Sequence, residues 1–517
     1  MPKAVLFLIY ICLIFSFACR TRNNDYVTVA LPEKFSSFDT LTTDKSEASA
    51  ERVRSLMFNS LVRKNEKFEY VGELAKEIKP SEEGKVITFV LRDNVKFHNG
   101  KEFTSADVKY TFDKLFTTGK AFKAGAFYET IDDQKTPHIV SIDAPDTKTV
   151  VFTLSRASLQ NQLLSNLVAI PIIAEGTIEQ QTTNPTGSGA FKFVSFDSSQ
   201  NIVELVANPE YWEGVPKIQK IRIKVVMDAN SLQAELQSGG VDIAPLPTNL
   251  SPDTLKSLSG NPNLKVEQFN GSNIQYLQFN TQAAPVNNTK LRQAVAYAID
   301  REKIINELLL GQAVIAHSIL PVESYAYNAG TKYSFDPAKA KQLLQESGYK
   351  GEPIKFKFSA GNQASSQYSQ AIQNALKEVG INVEIETLDP NVIRQQIALG
   401  QFQMNTGVWV GGNQDPIFLL DLFTTKRIPG EKVQCCNRSR FSNAVVDKLI
   451  EQAYNSTNRD EAKQAYIKAQ EIISNEVPMF PLWYPSHMVV SNKRIGNIKV
   501  SPSGDWGFVK DITAGAN

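Results

Sequence analysis

Cysteine is scarce in this chain: four in 517 residues, at positions 12, 19, 435 and 436. So few cysteines, two of them adjacent, cannot staple distant elements, so the fold must rest on its core. Histidine is equally sparse. His98, His138, His317 and His487 stand apart, and none meets another at helical spacing, which excludes the zinc-protease pattern. No CxxC pair or metal-spaced Cys/His cluster occurs. There is no GxxxxGK phosphate loop and no G-x-S-x-G nucleophile elbow. Thr186-Gly187-Ser188-Gly189 comes nearest to a glycine-rich loop, but it lacks the lysine and the third glycine, and reads as a tight turn. Neither charge sign dominates, with 55 Lys and Arg against 54 Asp and Glu. That balance gives no broad pull toward nucleic acid or an anionic membrane surface. The sequence therefore calls for no metal, no cofactor and no catalytic residue. Spacing alone leaves open a pair of carboxylates brought together from distant segments.

What is present is ordinary for a folded protein: 42% hydrophobic and 21% charged residues. At ~150 residues per domain the length suggests about three domain-sized units. One apolar run, Ala4 to Ala18, follows Lys3. Its basic start, short length and small residues near the end describe a signal peptide over 1–18; an uncleaved anchor is the alternative, for which the run is short. Ser16-Phe17-Ala18-Cys19 resembles the lipobox of bacterial lipoproteins. Cleavage after Ala18 and lipidation of Cys19 are expected, with residues 19–24 as a polar tether. Removing 1–18 takes away only Lys3, leaving 54 basic against 54 acidic residues. Cys435 and Cys436 then remain, either as a vicinal disulfide or as two free thiols.

Strand-like and helix-like segments alternate, which predicts a mixed α/β fold. Tyr26–Ala30 and Val86–Leu91 alternate as strands. Asn99-Gly100 favours a tight hairpin. Thr104 and Asp107 form a capping box for a helix with Val108, Phe112 and Leu115 on its apolar face. Ser49–Leu61 has helical spacing. A stripe from Leu291 through Ile304 predicts one amphipathic helix over Lys290–Leu310. Ala338–Leu344 and Ala371–Val379 are helical, each followed by a glycine (Gly348, Gly380), and Ile381–Ile385 is a strand.

Several segments, in order, resemble the extracellular solute-binding proteins of family 5, the peptide, dipeptide and nickel binders that serve ATP-driven importers. They are Gly72–Ala75, Thr88–Arg92, Val95–Gly100, Thr104–Val108 with Phe112, Pro185–Phe191, Asn208–Trp212 and Leu236–Ile243. Then come Phe279-Asn280, Leu291–Val295, Ala298–Arg301, Tyr333–Pro337, Gly380-Ile381, Asp415-Pro416 and Pro478–Leu482. The resemblance spans the mature chain and implies a two-lobed periplasmic-binding-protein fold (type II, large cluster C) with an extra α+β domain on lobe one. Lobe one would be 25–60, 186–270 and 483–517, the decorating domain 61–185, and lobe two 271–482. The crossings would lie near Asn270–Asn273 and Trp483–Ser486. Most of the shared residues read as structural, His98 as a turn residue and Asp107 as a cap.

In peptide-binding members a Trp and the segment after it line the cleft, and an Asp three residues past the Trp pairs with the ligand's ammonium group. Here Trp409 matches, but the Asp position is Gly412. Dipeptide binders also place an Arg after a lobe-two strand; the matching stretch, Ser359–Gln363, has none. A free dipeptide is therefore disfavoured, and scarce histidine disfavours nickel. Oligopeptides held by backbone hydrogen bonds fit better, since they need no terminal charges; a neutral or sugar-like solute is a further option. The expected cleft residues are Trp409, Val410, Gly411, Gly412 and Asn413, with Asn362 and Gln363. The resemblance adds Thr43, Asp44 and Lys45 as a lobe-one loop facing the ligand.

The expected function is capture without chemistry. A lipid-anchored, exported monomer would grip a peptide or other small solute between two hinged lobes. It would then present it to an ABC permease driven by its ATPase. The rivals are a solute receptor or chaperone-like binder without a permease, and a secreted hydrolase.

Overall fold

The computed structural model describes residues 26–118, 120–131, 134–361, 363–411, 414–430 and 436–515. The expected signal, Cys19 and its tether lie outside these residues, as do Asn362, Gly412, Asn413 and Cys435. No helix of the described residues is long and apolar enough to cross a membrane.

Two large sheets organise the chain. The first is seven-stranded, in the order Phe191–Asp197, Ile202–Ala207, Lys220–Val225, Val27–Leu31, Ile243–Pro245, His487–Asn492 and Leu264–Phe269. Val27–Leu31 pairs in parallel with strands on both sides and is buried at every position. A continuous apolar run suits a strand covered on both faces. The second sheet is six-stranded: Ala313–Ile315, Met479–Pro485, Ile274–Phe279, Met404–Trp409, Ile354–Ser359 and Val383–Leu388. Helices cover both of its faces. One cluster includes Leu277, Phe356 and Ile372, and the other Tyr276, Phe423 and Tyr466.

A four-stranded antiparallel sheet, Ala75–Pro80, Val86–Leu91, Thr149–Leu154 and Ile139–Asp146, builds the extra domain. Val86–Leu91 and Thr149–Leu154 alternate buried and half-buried, as a one-faced sheet requires. The helix Ser105–Thr117 covers it with Val108, Phe112 and Leu115. Asp107 caps that helix as the sequence predicts. It accepts the Thr104 amide at 2.9 Å and, fully buried, also takes Lys101 Nζ at 2.6 Å and the Glu175 amide at 2.9 Å. One continuous apolar cluster joins this unit to the seven-stranded sheet.

One feature differs from expectation. The helix expected over Lys290–Leu310 is broken into Thr289–Ala298 and Arg301–Glu307. Ile299 turns extended and Asp300 caps the second piece through the Lys303 amide at 2.9 Å. A cap inside an unbroken apolar stripe outweighs the stripe's periodicity. Trp483–Pro485 pair within the six-stranded sheet and His487–Asn492 within the seven-stranded one, so the chain passes between the sheets at Ser486, inside the Trp483–Ser486 stretch named for the second crossing. His98 sits in the turn, as expected, and its side chain also binds a second loop. Its Nδ1 accepts the Gly187 amide at 3.3 Å and its Nε2 donates to the Gly189 carbonyl at 3.0 Å. It thereby locks the Thr186–Gly189 turn. That turn needs its glycines, because a Cβ at Gly187 or Gly189 would lie 2.1 or 2.4 Å from the Met57 backbone. Cys436 is half of a disulfide.

Candidate functional site

The site is built where the two large sheets meet. Ile274 begins its strand opposite Trp409, the last residue of Met404–Trp409. The chain entering from the first sheet passes through Ser272 and Asn273, and the Ser272 amide donates to the Pro502 carbonyl at 2.9 Å. The segment leaving Trp409 is tied to the same crossing. Gly411, at φ +75°, donates its amide to Asn273 Oδ1 at 3.2 Å. Gln414 Nε2 donates to Ser272 Oγ at 2.9 Å. The loop expected to carry the ligand is therefore fastened at both ends to the crossing between the sheets.

Trp409 is half-buried, its ring packed edge-on against Phe418 at 4.5 Å. Val410 is 63% exposed. Gly412, Asn413 and Asn362 fall outside the described residues, and Gln363 opens the helix Gln363–Glu378. Thr43, Asp44 and Lys45 form a separate group on the first lobe. The Thr43 carbonyl accepts the Phe122 amide at 2.8 Å, and Lys45 pairs with Glu47 at 2.9 Å. Thr43 and Lys45 line a small polar pocket with Asp39 and Glu51. Beneath it Lys123, pushed down to about 8 by burial, bonds Glu51 Oε1 at 2.7 Å and the Ala169 carbonyl at 2.8 Å.

The residues that do meet the Trp409 loop were not anticipated. Lys64 and Tyr70, on the hairpin Val62–Lys64 and Tyr70–Gly72, reach across to it. Lys64 Nζ donates to Gln414 Oε1 at 2.9 Å, and the Tyr70 hydroxyl donates to Asp415 Oδ2. Burial, then the Asp415 charge, raises the Tyr70 hydroxyl well above the usual phenol range, so it stays a donor. Asp415 was legible only as half of an Asp-Pro pair. Tyr70 carried no signal, because its partner lies 345 residues away.

The arrangement offers polar and aromatic groups for holding a molecule. No group of three or more His, Cys, Asp or Glu able to hold a metal ion occurs among the described residues.

Many of the sequence motifs turn out to be joints of the scaffold. Asn59 donates to Glu73 Oε1 at 2.7 Å, and its Oδ1 accepts Trp212 Nε1 at 3.2 Å and Ser188 Oγ at 3.3 Å. One side chain thus ties together the segments around Glu73, Ser188 and Trp212. Arg292 and Arg301 are buried and spend their guanidinium donors on backbone carbonyls, Arg301 on those of Ala316, Pro481 and Tyr333.

Comparison with known proteins agrees with this geometry. Residues 69–430 match the model of the bacterial extracellular solute-binding proteins, family 5 (middle region). The heme-binding protein A of Haemophilus influenzae is 28% identical over 507 residues, covering 93% of this chain and 90% of that protein. The probable D,D-dipeptide-binding periplasmic protein DdpA of Escherichia coli is 28% identical over 445 residues, covering 83% of this chain and 82% of its own. Among solved structures, the ABC transporter substrate-binding protein CtaP of Listeria monocytogenes superposes with a TM-score of 0.83 at 21% identity, over 95% of this chain and 99% of that one. The two lobes, the extra domain on the first and a match over most of the chain lead to one conclusion: this protein belongs to the bacterial extracellular solute-binding proteins of family 5.

Proposed function

We propose that the protein captures an oligopeptide or related small solute between its two lobes and hands it unchanged to the permease of an ABC importer. The lobes are 25–60 with 186–270 and 483–517, against 271–482, and 61–185 is the decorating domain. One observation carries the reading. The segment after Trp409 is bonded through Gly411 and Gln414 to Asn273 and Ser272, at the crossing between lobes. A ligand gripped there touches the hinge, so its binding is coupled to lobe closure.

Trp409 offers an aromatic face, and Val410 and Gly411 offer backbone groups; the family resemblance assigns Gly412, Asn413, Asn362 and Gln363 to the same site. Thr43, Asp44 and Lys45 face the ligand from lobe one. Gly412 removes the anion that a free dipeptide's ammonium group needs once out of water. The relatives' names span heme and D,D-dipeptides, so the fold accepts solutes of differing chemistry. The chain is exported, cleaved after Ala18 and held to a membrane through lipid on Cys19, as a monomer that performs no covalent chemistry.

The test is to purify the mature protein from cells, denature it and identify what it releases by mass spectrometry. An unchanged peptide or small solute in stoichiometric amount supports the reading. A turnover product overturns it in favour of catalysis.

A further inference from the structure

Among the described residues, side-chain hydrogen bonds join the 61–185 domain to lobe two at two places. The first is beside the Trp409 loop, where Tyr70 bonds Asp415 and Lys64 bonds Gln414 at 2.9 Å. The second is at Tyr454. Its hydroxyl accepts from Arg156 Nη2 at 3.1 Å and donates to Gln162 Oε1 at 2.7 Å, and the Arg156 guanidinium lies 5.6 Å from its ring centre. Tyr454 packs against the apolar clusters of both bodies.

From these contacts we propose that the decorating domain is the clasp of the clamp, and that Tyr70 and Lys64 are positioning residues for the ligand loop. The proposal rests on the solute-capture reading and adds to it a job for the extra domain.

The physical case lies in Asp415. It is 8% exposed, and its other oxygen accepts the Ile417 amide at 3.0 Å at the start of Phe418–Phe423. A carboxylate shut away from water is costly unless hydrogen-bonded. When the lobes part, water solvates it; when they close, Tyr70 must replace that water. Closure with Tyr70 in place is thus favoured over closure without it, by the worth of a hydrogen bond to a charged group. Gln414 extends the grip inward, since its amide joins Lys64 on one side and Ser272 of the crossing on the other. Gripping the clasp therefore sets the loop that follows Trp409.

The test uses the mature chain as purified from cells, with the solute it carries, in X-ray scattering, with Trp emission as a second readout. Wild type is expected to give the compact profile. Tyr70→Phe with Tyr454→Phe is expected to shift to a larger radius of gyration, the closed-to-open ratio falling about tenfold or more. Asp415→Asn, which keeps an acceptor for Tyr70, is expected to stay compact, whereas Asp415→Ala opens. Lys64→Ala, at a half-buried position, is expected to show a smaller shift of the same sign. A wild-type profile that is already expanded, or variants that lower the melting temperature while leaving the scattering unchanged, overturn the clasp. Expansion of the variants in a protein that releases no solute keeps the clasp and discards capture, while unchanged scattering in a protein that does release one discards only the clasp.

Discussion

Arg494 and Asp242, 252 residues apart, form a buried pair at 3.0 Å that pins the C-terminal segment to the seven-stranded sheet. Asp242 is 1% exposed and also accepts the Thr28 amide at 2.9 Å, so one carboxylate joins three segments of the first lobe. Asp242→Ala leaves the Arg494 cation enclosed without its counterion, a loss of about 3–5 kcal/mol. Adding Arg494→Met is expected to restore part of that loss, because the stranded charge is then gone. Urea unfolding of the single and double variants checks both values.

His98 makes the fold sensitive to mild acid. Burial pushes its pKa down to about 4. Between the ordinary value near 6.5 and about 4 the unfolded chain takes up a proton that the folded chain refuses. Stability is therefore full above pH 6.5 and is lost as the pH falls toward 4. From pH 7 to 5 the loss attributable to His98 is about 2 kcal/mol. His98→Gln keeps an acceptor for Gly187 and a donor for Gly189, and is expected to flatten the stability curve by about that amount. His138, His317 and His487 are also lowered by burial and act in the same direction. Denaturant midpoints of wild type and variant at the two pH values decide the matter.

Arg292 is 2% exposed and donates to the carbonyls of Val286 at 2.9 Å, Asn287 at 3.0 Å, Val477 at 3.1 Å and Glu476 at 2.6 Å. Lysine keeps the charge but not the planar fork. Arg292→Lys is expected to strand at least one carbonyl and cost about 2–4 kcal/mol. A melting-temperature shift comparable to that of Arg292→Ala is the expected reading; full tolerance of lysine counts against the fork.

Trp409→Ala is expected to lower the solute retained through purification at least tenfold while the circular dichroism spectrum holds. The ring is half-buried and packs against Phe418 at the margin of an apolar cluster whose buried members remain without it. Trp409→Phe keeps an aromatic face and is expected to fall between. Equal retention in all three proteins removes Trp409 from the site.

Local chemistry made much of the scaffold readable in advance. Asp107 capping its helix, Gly348 ending Pro337–Ser347 in the left-handed conformation, and the alternation of Val86–Leu91 follow from neighbours within a few residues. The break at Ile299-Asp300 was masked by the continuous apolar stripe, although Asp300 is a helix-cap residue that marks it. His98 was legible as a turn residue, but its grip on the Thr186–Gly189 turn needed two loops 89 residues apart.

The sequence by itself determined the alternation of helices and strands, the glycine turns, the absence of metal-binding and phosphate motifs, and the ordered segments that mark the family. These depend on backbone preference and side-chain type over short stretches. Only the tertiary structure decided that Asn59 knots three motifs together, that Gly411 and Gln414 are moored to the lobe crossing, and that Tyr70 meets Asp415. Hydrogen bonds act over about 3 Å, and only the folded chain brings groups hundreds of residues apart within that reach.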